Sequence, residues 1–114
     1  MLTSLSVSGC VMVTDKSLVA IGLRCKHLLS LDVTKTKISS EGLLALASGQ
    51  CAKVLKELNI SHCLNVTDEG VQSVVTQCPR LSILVFHGCP LLTSLSRDIA
   101  SNGRQMKQLT WTIY

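Results

Sequence analysis

A chain of 114 residues, 46% hydrophobic but only 3% aromatic, has room for one module with an aliphatic interior and not for a catalytic domain plus a binding domain. Its net charge of +4 comes from 11 Lys and Arg against 7 Asp and Glu, scattered with no block of about five like charges, which argues against nucleic acid as a partner. No run of about 18 apolar residues and no basic-then-apolar leader occurs, so neither a membrane span nor a secretion signal is expected.

The first segment sets a pattern that recurs along the chain. The signature apolar-x-x-apolar-x-apolar is filled by Leu2, Leu5 and Val7, then by Leu28, Leu31 and Val33, by Leu55, Leu58 and Ile60, by Leu81, Leu84 and Phe86, and by Met106, Leu109 and Trp111. The openings lie 26, 27, 26 and 25 residues apart, the period of a leucine-rich repeat, in which a strand is followed by a helix. This gives a single domain over 1–114, with repeats at about 2–27, 28–54, 55–80 and 81–105 and a partial copy, 106–114, as a C-terminal cap.

In the first copy the strand leads to Cys10 and Val13, and Thr14–Asp15 supplies a hydroxyl and a carboxylate suited to a helix N-terminus. Leu18 and Ile21 then mark one helical stripe, which ends near Cys25. The second copy is one residue shorter after its strand, reaching Ile38 through Lys35 and Thr36 without a cysteine. Ser39, Ser40 and Glu41 start its helix, Leu43 and Leu46 mark the stripe, and extra residues flank Cys51. The third copy repeats the first, with Cys63, Val66, Thr67–Asp68, Val71, Val74 and Cys78, and Pro79 stops the helix. In each case the residue type fits a cap, but spacing alone leaves open which residue is the cap.

The fourth copy departs from the rest. Cys89 and Leu92 are in place, yet the stripe positions read Arg97 and Ala100, so Leu95 and Ile99 are expected to form an alternative stripe. Ser101, Asn102 and Gly103 read as a turn or irregular helix end, after which the last strand covers the core, as terminal repeats of solenoids do. At the other end the first layer lacks a cover. The expectation is a monomer, or a chain whose N-terminal edge is covered by further repeats or by another chain.

Strand, helix, then strand in the same direction makes a parallel sheet with right-handed crossovers. Strands sit about 4.8 Å apart and packed helices about 8–10 Å apart, so the stack curves with its strands inside. The expected fold is therefore α/β, a short right-handed solenoid arc with parallel strands on the concave face and helices on the convex face.

The six cysteines fall in two columns, Cys10, Cys63 and Cys89 after the strands and Cys25, Cys51 and Cys78 at the helix ends. Column positions read as small inward-facing groups and free thiols of a reducing compartment, not as a disulfide framework or metal site. His62 and His87 are out of register with each other, one and two residues before their cysteines. They read as contact residues, with no catalytic, metal or cofactor role assigned.

Strand alternation puts Ser4, Ser6 and Ser8 on the sheet's open face, followed by Ser30, Asp32 and Thr34, by Glu57, Asn59 and Ser61, and by Ile83, Val85 and His87, with Lys35 and His62 at the strand exits. The surface passes from small hydroxyls through an acidic, polar middle to an apolar patch. As a protein-binding face it has Ile83, Val85 and His87 as anchors, and Asp32, Thr34, Lys35, Glu57, Asn59, Ser61 and His62 as polar contacts. The plainer alternative is a solvated sheet with Ile83 and Val85 under the C-terminal tail.

The stretch LNISHCLNVTDEGVQSVVTQCPRL, repeated in the first copy as SVSGC, VTDKSL and RCKHL, resembles the cysteine-containing leucine-rich repeats of F-box proteins that select substrates for cullin-RING ubiquitin ligases. FHGCPLLTSLSR and KQLTWTIY are similar, within that group, to vertebrate homologues of the antagonist of mitotic exit network protein. The resemblance implies a cytoplasmic or nuclear setting and a non-enzymatic role in protein recognition, as a substrate receptor or regulator of ubiquitin-dependent turnover. The alternative is a structural or competitive inhibitor of another complex in cell-cycle control, without ubiquitination.

Overall fold

In the computed structural model, residues 2–101 and the backbone of 108–112 are described. Strand β1 (Ser4–Ser6), helix α1 (Asp15–Arg24), β2 (Ser30–Asp32), α2 (Ser40–Ala47), β3 (Glu57–Asn59), α3 (Asp68–Gln77), β4 (Ile83–His87), α4 (Ser94–Ser101) and β5 (Gln108–Thr112) alternate along the chain. The strands form one five-stranded parallel sheet in chain order. Leu5, Leu31, Leu58, Leu84 and Leu109 lie in one register row, which is the row that the repeat spacing predicts.

Apolar signature residues face the helices. Leu28, Leu31, Val33, Leu55, Leu58, Ile60, Leu81, Leu84 and Phe86 are all buried, and Leu18, Leu43, Leu46, Val71 and Val74 meet them from the helices. The first repeat is the exception: Leu2 is 47% exposed, and Leu5, Val7 and Ile21 only lean on the core. A solenoid layer is closed by its neighbours on both sides, and this one has a neighbour on one side among the described residues.

The helix starts are tied to one another. Thr14, Ser39 and Thr67 are the N-caps, and the residue after each cap reaches across to the next repeat's cap. Asp15 accepts from the Ser39 N–H at 2.7 Å and from Ser39 Oγ at 2.6 Å. Ser40 Oγ accepts the Thr67 N–H and shares a hydrogen bond with Thr67 Oγ1, both at 2.8 Å. Asp68 accepts from the Thr93 N–H at 3.0 Å and Thr93 Oγ1 at 2.7 Å. One side chain thus accepts the N–H of the following helix's cap residue and holds that residue's hydroxyl.

The first two of these links leave no room for a Cβ at the facing position of the next helix. A Cβ at Gly42 would overlap the Asp15 carboxylate, and one at Gly70 would lie 2.7 Å from Ser40 Oγ. In the fourth repeat that position is Ser96, fully buried, and its hydroxyl donates to Asp68. Here the expected stripe needs correction. Leu95 is 54% exposed, while Ser96 and Ala100 are fully buried and Ile99 packs partly on the core. The Asp68 contact turns Ser96 inward, and Leu95, one residue earlier on the helix, faces solvent.

The second helix ends at Ala47, before Cys51, and a 3-10 turn at Gln50–Lys53 takes up the added length. Cys51 nevertheless keeps its column. The carbonyls of Cys25, Cys51 and Cys78 accept from the N–H groups of Leu28, Leu55 and Leu81, the residues that open the next strands. Asn102, Gly103 and Met106 lie outside the described residues, whereas α4 extends through Ser101.

Candidate protein-recognition site

The open face begins with short strands. Two residues past the last apolar residue of the strand signature the backbone adopts a left-handed conformation in every full repeat: Gly9 (φ 74°), Lys35 (59°), His62 (57°) and Gly88 (63°). The turn sends the chain away from the sheet towards the helix layer. Glycine fills it in the first and fourth repeats; Lys35 and His62 hold it at a conformational cost of about 1–2 kcal/mol each. Both are exposed, and their N–H groups extend the ladder to the Ser61 and His87 carbonyls at 2.9 and 2.7 Å.

The next residue is the post-strand cysteine. Cys63 donates to the Val33 carbonyl at 3.2 Å and Cys89 to the Ile60 carbonyl at 3.1 Å, each reaching the preceding repeat. Thr36 occupies this column in the second repeat and donates to the Val33 carbonyl at 2.7 Å, so the missing residue falls after Thr36 and not before it. Burial raises the pKa of the Cys63, Cys89 and Cys51 thiols, making them poor nucleophiles. The expected inward columns need correction at their first members: Cys10 is exposed and Cys25 half-buried, because no earlier repeat lies against them among the described residues. All six cysteines are free.

On the sheet itself the polar side chains are fixed by their own backbone. Asp32 Oδ1 accepts the Thr34 N–H at 2.9 Å, and Asn59 Oδ1 accepts the Ser61 N–H at 3.0 Å, one repeat apart. Ser30 Oγ donates to Glu57 Oε2 at 3.2 Å across the β2–β3 pair. The residues following them diverge. Ser61, expected on the exposed face, is only 5% exposed; its hydroxyl turns along the strand exit and accepts the His87 N–H at 3.0 Å. Thr34 Oγ1, one repeat earlier, is buried without a partner, since the Ser61 N–H that would reach it is held by Asn59.

These residues surround a shallow pocket of about 200 Å³ across β2, β3 and β4, lined by Ser30, Asp32, Glu57, Asn59, Ile83 and Val85 over the buried Leu31 and Leu58. Five of the ten expected contact residues therefore converge: Asp32, Glu57, Asn59, Ile83 and Val85. Thr34, Lys35, Ser61, His62 and His87 lie at the strand exits, outside it. Glu57 is exposed, while Asp32, Asn59, Ile83, Val85 and His87 are half-buried. Ser30 joins the pocket through its register with Glu57 and was legible from alternation alone. Among the described residues no group of three or more His, Cys, Asp or Glu is placed to hold a metal ion, and no helix is long and apolar enough to cross a membrane.

The architecture and the open face define a solenoid protein-interaction module. Residues 1–22, 24–47 and 52–75 match the family model described as Leucine Rich repeat, more than half of the chain, and the protein belongs to the leucine-rich-repeat family. It is 28% identical over 110 residues to the F-box/LRR-repeat protein 4 of Bos taurus. That alignment takes in 95% of this chain but 13% of the relative, so the chain spans a small part of its length. Among solved structures, Leiomodin-1 Actin-Binding Site 2 superposes with a TM-score of 0.74 at 18% identity, covering 96% of this chain and 70% of that one. At that identity the likeness is one of fold.

Proposed function

We propose that this chain is a non-enzymatic recognition module that holds a protein partner on the open face of its sheet, as a substrate receptor or regulator in ubiquitin-ligase-dependent turnover. The observation that carries the reading is the pocket in which the pinned Asp32 and Asn59 and the exposed Glu57 stand beside the half-exposed Ile83 and Val85. Orienting polar groups next to apolar anchors are the ingredients of a protein-binding hot spot. The likeness to an F-box/LRR-repeat protein supports the link to ubiquitin ligases. The similarity of FHGCPLLTSLSR and KQLTWTIY to homologues of the antagonist of mitotic exit network protein extends the proposal to cell-cycle control, and six free thiols suit the cytoplasm or nucleus.

Quantitative affinity purification tests the reading, comparing the wild-type chain with a Val85→Asp/Glu57→Lys variant of unchanged melting temperature. Cullin-RING subunits or their substrates should copurify with the wild type and be lost with the variant. Capture that survives the double substitution removes this face from consideration. A partner lost with the variant but free of ligase subunits assigns the chain to the competitive-inhibitor reading.

A further inference from the structure

The pocket's chemistry narrows what its occupant presents. At about 200 Å³ it is smaller than the roughly 300–1,000 Å³ of small-molecule sites, and it is open, so it suits one side chain of a larger partner. Two carboxylates border it, and each has committed one oxygen internally: Asp32 Oδ1 to the Thr34 N–H and Glu57 Oε2 to the Ser30 hydroxyl. Asp32 Oδ2 and Glu57 Oε1 are left to accept. Neither acid is paired with a lysine or arginine among the described residues. Asn59, whose oxygen is held by the Ser61 N–H, has its amide N–H groups left to donate.

Register fixes how these groups are spread. Asp32 lies opposite Asn59 and Ser30 opposite Glu57 in a parallel pair, so the two acids are diagonal neighbours, their backbones about 8 Å apart. With one free oxygen each, they do not offer a single carboxylate for two-point capture. They flank a gap that a planar, multi-donor cation can bridge. An anionic or phosphorylated occupant would meet like charge here, and a wholly apolar one would strip water from two carboxylates without replacing it. On the far side, Ile83 and Val85 supply an apolar step one strand over.

Resting on the reading of the open face as the recognition surface, we infer that the partner docks with an arginine beside an apolar residue. The guanidinium lies between Asp32 and Glu57, the neighbouring apolar side chain covers Ile83 and Val85, and the Asn59 amide donates to a main-chain carbonyl of the same segment. The recognised ligand is a cationic–apolar protein segment, although the chain itself carries net positive charge.

Two blocked dipeptides of the same shape separate charge from form: N-acetyl-arginyl-leucinamide and its neutral citrulline counterpart, titrated into the isotopically labelled chain and followed by amide chemical shifts. The arginine probe should shift amides of residues 30–34, 57–61 and 83–87 in a saturable way, and bind about fivefold more tightly than the citrulline probe. An Asp32→Asn/Glu57→Gln variant keeps both internal acceptors and therefore the fold, and should reduce the arginine probe to the citrulline level. Equal binding of the two probes on this face overturns the charge assignment while the face itself stands as the recognition surface. Shifts confined to the helices, or none from either probe, overturn it as well; the fate of the functional reading then rests on the Val85→Asp/Glu57→Lys capture result.

Discussion

Replacing Asp68 by alanine removes the link between the third and fourth repeats at one point. Its carboxylate accepts three hydrogen bonds from the start of α4: the Thr93 N–H, Thr93 Oγ1 and Ser96 Oγ. Thr93 is exposed and regains water, so its two bonds are worth about 0.5 kcal/mol each. Ser96 is fully buried, and an orphaned hydroxyl there costs about 1–3 kcal/mol. The sum is about 2–4 kcal/mol, felt by the last repeat because a solenoid transmits stability between neighbours. By hydrogen exchange, α4 amides should open roughly 30- to 800-fold more often, with α1 and α2 nearly unchanged.

A Ser96→Ala change should be much milder and should abolish the buried-hydroxyl part of the effect of Asp68→Ala, giving a coupling of about 1–3 kcal/mol. Burial pulls the Asp68 pKa up, but the hydrogen bonds from Ser96 and Thr93 outweigh it and leave the carboxyl below its ordinary value of 3.8. A group with a depressed native pKa contributes stability that is full above its unfolded value and is lost as pH falls through the native one. The α4 link should therefore hold from neutral pH to about 4 and weaken below that, and Asp68→Ala should lack this acid step. A loss under about 0.5 kcal/mol with unchanged α4 exchange, or strict additivity with Ser96→Ala, would refute the linkage.

Gly49→Ala places a Cβ 2.6 Å from the Gly22 carbonyl carbon and oxygen; the expected loss in urea unfolding is about 1–3 kcal/mol, larger than for Gly22→Ala, whose Cβ meets nothing closer than 3.4 Å. Equal losses would contradict the close approach of α1 to the 3-10 turn. Lys35→Gly and His62→Gly relieve a left-handed cost of about 1–2 kcal/mol against a glycine entropy cost of about 0.5–1 kcal/mol, so each should raise stability by about 0.5 kcal/mol; a lower melting temperature would show that these side chains stabilise the turn. In native alkylation Cys10 should react first and Cys51, Cys63 and Cys89 only on unfolding, in line with their burial and raised pKa; the reverse order would contradict the column assignment.

The repeat frame was readable because one leucine register runs through every copy, and a single slip would have turned each strand over. Alternation likewise found Asp32, Glu57, Asn59, Ile83 and Val85, which the pocket brings together. It failed just past the strands, where the period of two no longer applies. Ser61 follows β3 by two residues, at the bend where the chain turns towards the helices, and its hydroxyl is drawn to the His87 N–H. The signal for that bend was present as Gly9–Cys10 and Gly88–Cys89: glycine before the column cysteine in two copies marks a left-handed residue that Lys35 and His62 share. The helix caps were legible by residue type alone, since the pairing of Asp15 with Ser39 and of Asp68 with Thr93 depends on contacts between repeats. The stripe of α4 was misread for the same reason: hydrophobicity favoured Leu95, and a hydrogen bond to the preceding repeat buried Ser96.

Site-specific photocrosslinking distinguishes recognition through the sheet from recognition through the helices. A photoreactive amino acid placed at Glu57 or Val85 on the open face, and in parallel at Leu44 or Gln72 on the exposed side of the helices, reports which surface meets a partner in cells. Partner adducts are expected from positions 57 and 85 and not from 44 and 72. Adducts from the helix positions alone would contradict recognition through the sheet.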